Sequence, residues 1–165
     1  MSDIRIAIAE FDAELSLAVT LDQMWMALHN LYATTVEFKL FTITAMDIEQ
    51  GLARRSFTND PSAYPVSGTK PIQFDDWFDI VHRQHRLFVA NTIADIAKVF
   101  PDHQKIWSLG CGSVVNVPIV VNAILVATVN ILHVEHHYTP ERVELIQSYL
   151  VQPALETYLR VEQLS

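Results

Sequence analysis

The sequence predicts an α+β fold. Two observations carry this. Apolar residues recur at helical spacing at both ends of the chain, and two stretches rich in β-branched and aromatic residues each read as a hairpin. Hairpins pair antiparallel, which separates this class from a parallel α/β fold.

Ile4, Ile8, Phe11 and Leu15 recur at helical spacing, and Leu21, Met24 with Trp25, Leu28, and Leu31 with Tyr32 do so again. Thr20 followed by Gln23 fits a capping box, so the second helix is expected to start at Leu21. Residues 36–46 read as a strand, with Phe38, Phe41, Ile43 and several threonines. Residues 47–51 supply a turn, and 52–58 form the second arm, bearing Arg54 and Arg55. Pro61, Pro65, Gly68 and Pro71 make 59–71 a long loop, which is expected to be ordered because Tyr64 and Val66 sit inside it.

Residues 75–85 read as a helix carrying Trp77, Phe78, Ile80 and Val81, and 86–90 as a short strand. Asn91 or Thr92 caps a helix that Pro101 ends. A further helical turn at 104–109 is broken by Gly110-Cys111-Gly112. Residues 113–120 and 123–133 form the second hairpin, about a tight turn at Val121-Asn122-Ala123. Thr139-Pro140-Glu141 combines an N-cap, a proline at the first helical position and a favourable acid. That helix is expected to reach Leu159, with a kink or break near Pro153.

The chain has 165 residues, enough to bury a core without a disulfide or a metal. Eleven Lys and Arg against 19 Asp and Glu leave a net charge of −8. That balance argues against a nucleic-acid backbone or an anionic membrane as partner. Residues 106–134 carry no Asp, Glu, Lys or Arg, but Asn116, Pro118, Asn122, Thr128 and Asn130 interrupt the stretch, and its Val and Ile favour strands over a membrane span. The start, MSDIRIAIAEF, has an early acid and no basic region before an apolar core, so no secretory signal is expected and the expected location is cytoplasmic. One cysteine, Cys111, rules out an intrachain disulfide and a thiolate-rich metal site.

These residues resemble a GAF domain. The resemblance rests first on SVVNVPIVVNAILVATVNIL at 113–132, a strand ending in Val-Pro-aliphatic, a short turn and a second strand. The helix start Tyr138-Thr139-Pro140-Glu141 and the strand Phe88-Val89-Ala90-Asn91 also fit, and the resemblance covers roughly residues 15–160. Small free-standing bacterial GAF proteins share the look of RRSFTNDPSAYPVSGTKP at 54–71 and SLGCGSVVNVP at 108–118. The resemblance implies one GAF-like domain over 1–165. It further implies a five- or six-stranded antiparallel sheet, with the N- and C-terminal helices on one face and pocket helices and loops on the other. GAF domains bind cyclic nucleotides, haem, bilins, amino acids or simple anions and regulate something else. The implied function is a non-catalytic sensory or regulatory domain for a small polar or anionic molecule, with no cofactor identified. A separate output protein is the implied recipient of the signal.

Strand alternation places Phe41 and Ile43 on one face and Leu40, Thr42 and Thr44 on the other. Val115, Val117 and Ile119 oppose Asn116 and Pro118, and Leu125, Ala127, Val129 and Ile131 oppose Val126, Thr128 and Asn130. With strand neighbours as in GAF domains, Thr42, Thr44, Asn116, Thr128 and Asn130 meet on one mixed face, where a ligand, water or loop backbone can satisfy them. One of Arg54 and Arg55 at most faces that side, because adjacent strand residues point oppositely. Tyr64, Trp77, Phe100 and Trp107 are candidate roof residues, each with core packing as its ordinary role. The expected ligand set is therefore Thr42, Arg54 or Arg55, Tyr64, Trp77, Trp107, Asn116, Thr128 and Asn130.

No catalytic residue and no metal site are expected. His82 with His85, and His133 with Glu135 and His137, have spacings a metal can use, but such patterns occur commonly on solvated surfaces. The alternatives are a GAF-fold reductase of the methionine sulfoxide type using Cys111, which lacks further cysteines for resolution, and a pure dimerisation or interaction module. A homodimer is expected through the first and last helices, where Leu21, Trp25, Leu28, Tyr32, Val143, Ile146 and Leu150 offer apolar surface.

Overall fold

Side-chain caps set the starts of the N-terminal helices. The computed structural model describes residues 3–66 and 68–165; Met1, Ser2 and Ser67, the last inside the expected 59–71 loop, lie outside the described residues. Helix α1, Ile4–Leu17, starts where Asp3 accepts the Arg5 N–H. Helix α2, Leu21–Thr35, carries the full capping box: Thr20 accepts the Gln23 N–H, and the Gln23 side chain reaches back to the Thr20 N–H.

The strands are β1 (Leu40–Asp47), β2 (Leu52–Thr58), β3 (Lys70–Pro71), β4 (Phe88–Ala90), β5 (Ser113–Val121) and β6 (Ile124–His133). They form one antiparallel sheet in the order β3-β2-β1-β6-β5-β4. The sheet gains β3 from the end of the expected loop, and Pro71, which has no N–H to give a further neighbour, is tolerated there because β3 is the edge. Between β5 and β6, Asn122 and Ala123 both have positive φ, 52° and 66°. Two successive left-handed residues make the mirror-image turn that matches strand twist, and alanine is strained in it. Ala123→Gly is therefore expected to raise stability by about 0.5–1 kcal/mol, read as an increased denaturation midpoint.

Alternation sorts the core. Phe41, Ile43, Val115, Val117, Ile119, Ala127, Val129 and Ile131 share one fully buried cluster with Met24, Trp25, Leu28, Leu31 and Tyr32 of α2. The same cluster takes in Phe11 and Leu15 of α1, and Ile146, Leu150, Ala154 and Val161 near the C-terminus. Leu125 and Val126 exchange their expected sides, because the register shifts between Ile119 and Val120: Val126 packs against this cluster and Leu125 does not belong to it. Much of the surface expected to be spare for a dimer is consumed here. Trp25, Leu28, Tyr32, Ile146 and Leu150 lie inside the core, and the exposed apolar residues near the α1–α2 junction are Leu17, Val19 and Leu21.

The C-terminal segment begins as α6, Pro140–Leu145, capped by Thr139. It widens into a π-helical turn at Ile146–Leu150 and continues as α7, Val151–Leu164. Pro153 gives the physical reason: its missing N–H and its ring disfavour the regular ladder one turn back. The chain answers with a wide turn instead of a break, and the buried Tyr32 hydroxyl donates to the Leu150 carbonyl at 3.0 Å. Among the described residues, no helix is long and apolar enough to cross a membrane.

Candidate functional site

On the opposite sheet face, the elements are short and loop-connected. Asp76–Phe78 is one helical turn (α3), capped by Asp75, that runs into a π-helical turn at Asp79–Arg83. Helix α4 is Ile93–Ala97, capped by Thr92, and α5 is His103–Ser108. Asn59 stitches the loop after β2 to β1: its side chain accepts the Phe41 N–H at 2.8 Å and donates to the Lys39 carbonyl at 3.2 Å. Trp77 of α3, Lys105 and Ile106 of α5, and the loop residues Tyr64 and Phe100 cover a cavity of about 540 Å³ above the sheet. That is within the usual range of small-molecule sites, about 300–1,000 Å³.

The floor is ordered in rows by the strand register. Leu40, Leu132 and Val114 make an apolar row; Thr42, Asn130 and Asn116 make the next; Thr44, Thr128 and Pro118 make a third. The middle row is hydrogen-bonded end to end. Trp77 Nε1 donates to Asn116 Oδ1 at 2.9 Å, and Asn116 Nδ2 donates to Asn130 Oδ1 at 2.8 Å. Asn130 Nδ2 donates to Thr42 Oγ1 at 3.2 Å and to Thr44 Oγ1 at 3.1 Å. An indole N–H can only donate, so Trp77 sets the polarity of the whole chain. The expectation left a ligand, water or loop backbone as possible partners for these polar groups; within the row, they satisfy one another.

Arg55, and not Arg54, faces this cavity. Plain alternation along β2 does not decide between them. A register shift does: Ile43 pairs with Phe57 and Thr44 pairs with Arg55, so Ser56 is the extra residue and Arg55 comes to lie beside Thr44. Arg54, opposite Ala45, instead lines a hollow on the helix side with Trp25 and Tyr158.

The roof carries Tyr64, whose hydroxyl donates to Asp102 and thereby ties the loop after β2 to the start of α5. Arg55 Cζ lies 4.9 Å and Lys105 Nζ 4.2 Å from the Tyr64 ring centre, both within cation–π range. Burial, and then the Asp102 carboxylate, push the Tyr64 hydroxyl well above the ordinary phenol range. Trp107 is not part of this roof. Ile106 turns inward and is buried, so its neighbour on α5 points away, and Trp107 is 55% exposed. Thr42, Arg55, Tyr64, Trp77, Asn116, Thr128 and Asn130 all line the cavity. Lys70, Asp102 and Lys105 line it too and were not anticipated, since nothing local in the sequence marks them.

Cys111 lies elsewhere, in a smaller hollow of about 290 Å³ beside Trp107, Val134 and Glu135. Burial pushes its thiol up, against the weaker opposing pull of the Lys39 ammonium. Among the described residues, no group of three or more His, Cys, Asp or Glu is placed to hold a metal ion.

No protein-family model matches the sequence, and no curated protein matches it either. Solved structures do match. The GAF domain of a phosphoenolpyruvate-protein phosphotransferase from Acinetobacter superimposes at TM-score 0.73 and 11% identity, over 99% of this chain and 95% of that one. The GAF domain of a two-component sensor histidine kinase from Bacillus halodurans gives 0.70 and 15%, over 88% and 98%. The type II free methionine-R-sulfoxide reductase of Thermoplasma acidophilum gives 0.61 and 12%, over 99% and 96%. Identities this low speak to architecture alone. With its six-stranded antiparallel sheet, its helices on one face and its roofed cavity on the other, the chain has the GAF fold.

Proposed function

We propose that this chain is a non-catalytic sensory or regulatory module that binds a small polar or anionic molecule between the sheet and the Tyr64–Asp102 roof. The observation that carries the reading is the cavity of about 540 Å³ floored by a continuous hydrogen-bonded row from Trp77 to Thr42. A preformed polar floor costs a ligand little reorganisation and fixes its orientation. Occupancy converts into a signal through the roof, because the direct Tyr64–Asp102 hydrogen bond joins two separate segments and a ligand beneath it shifts the balance between the joined and parted states. A separate output protein then reads the roof.

The position of Cys111 supports the non-catalytic reading over the reductase alternative. Its thiol is buried, held in the protonated form, and lines a different hollow from the polar row. Native mass spectrometry of the protein purified from its expressing cells tests the proposal. The expected spectrum shows a small-molecule adduct that is released on denaturation and is diminished in Asn116→Leu. A spectrum of bare chain, unchanged after incubation with a cell metabolite extract, overturns it.

A further inference from the structure

We propose that the ligand is a small organic carboxylate with an apolar body, its head group seated at Arg55, Thr44 and Thr42; this deepens the ligand-binding reading above and rests on it. The polarity of the hydrogen-bonded row gives the first reason. Trp77 can only donate, so Asn116 must accept from it and donate onward, and Asn130 must do the same. The row therefore ends with Thr42 Oγ1 and Thr44 Oγ1 both accepting from Asn130 Nδ2. Each hydroxyl keeps its own O–H, and among the described residues neither donates to any group. The end of the row is thus a pair of unspent donors.

Arg55 adds a third donor at the same place, because it sits opposite Thr44 in the β1–β2 register. Its Nη1 donates to the Pro65 carbonyl at 3.1 Å, which pins the guanidinium. Its Nε is enclosed and has no acceptor among the described residues. The charge of Arg55 is therefore incompletely compensated, and because the residue lines the cavity, an anionic group there offsets it best.

The charge around the cavity agrees. Arg55, Lys70 and Lys105 line it, and Asp102, the one acid in its lining among the described residues, has its carboxylate engaged by the Tyr64 hydroxyl. This concentration of cations occurs in a chain whose net charge is −8. A carboxylate offers two oxygens with about four acceptor sites, enough for the two hydroxyls, and its charge opposes that of the guanidinium. The remainder of the floor runs the other way, through the apolar row Leu40–Leu132–Val114 beneath Ile106. A ligand that fills both ends has an anionic head and an apolar body; a bare inorganic anion leaves that row unused.

Isothermal titration with three probes tests this: 3-phenylpropionate, 3-phenylpropionamide and inorganic phosphate. The acid is expected to bind at least about tenfold tighter than the amide or phosphate, since the amide replaces a charged acceptor with a neutral group that also donates. Arg55→Gln is expected to weaken the acid about ten- to a hundredfold. Thr44→Val, which keeps side-chain shape and leaves the guanidinium in place, is expected to weaken it about tenfold even if Arg55→Gln disturbs the neighbouring loop. Equal affinity for acid and amide, phosphate as tight as the acid, or full affinity in both variants overturns the assignment while leaving the binding function intact. Failure of all three probes also overturns it, and the native mass spectrum then reads separately whether the cavity carries a ligand.

Discussion

Phe41→Ala is expected to lower the folding stability by about 3–5 kcal/mol. Phe41 is fully buried in β1, at the junction of the sheet and α2. His29, Tyr32, Phe38 and Phe57 surround it with ring centres 5.3, 5.8, 5.2 and 5.9 Å away. Three of these contacts are edge-on, the arrangement aromatic pairs favour, so the truncation removes ring–ring attraction as well as buried area. The cavity left behind is walled by the sheet and cannot collapse fully. Domains of this kind have about 5–15 kcal/mol in total, so the variant loses a large fraction of its margin. Urea denaturation with an unchanged slope and a strongly reduced midpoint is the expected reading. A loss under about 1 kcal/mol contradicts the packing of β1 against α2.

The second large effect belongs to the polar row. Asn130→Leu leaves the Asn116 Nδ2 donor without its acceptor at a position only 3% exposed. Asn116 cannot relieve this by turning over, because its Oδ1 already receives the Trp77 N–H. The expected cost is about 1–3 kcal/mol, together with a marked loss of ligand affinity as the floor loses its link to Thr42 and Thr44. The double variant Asn116→Leu with Asn130→Leu is expected to cost less than the sum of the single changes, because the orphaned pair is removed together. Strict additivity in a double-mutant cycle contradicts the row.

The rows of the floor were legible in the sequence because strand alternation is local. Thr42, Asn116, Thr128 and Asn130 could be assigned to one side of their strands without knowing the fold, and the GAF resemblance supplied the order of neighbours. What alternation cannot see is an extra residue. The bulge at Ser56 decides which arginine faces the cavity, and the shift at Ile119/Val120 exchanges Leu125 and Val126. Both depend on how two strands align, which no single strand encodes. Trp107 was misplaced for a related reason: in a short helix flanked by loops, its inward face is set by tertiary packing, and Ile106 takes it. The Trp77–Asn116 bond joins residues 39 positions apart, and the Tyr64–Asp102 bond joins residues 38 apart, so neither has a local signature.

Side-chain amide resonances report directly on whether small molecules bind over the polar row. A ¹⁵N-correlation spectrum taken during titration with a fragment library, 3-phenylpropionate included, reads the Asn116 and Asn130 side-chain NH₂ pairs and the Trp77 indole N–H. Binding fragments are expected to shift these signals together with the backbone amides of Thr42 and Thr44. Shifts confined to the helix-side hollow around Trp25, Arg54 and Tyr158, with the Asn116, Asn130 and Trp77 side-chain signals unmoved at saturation, contradict binding over the row.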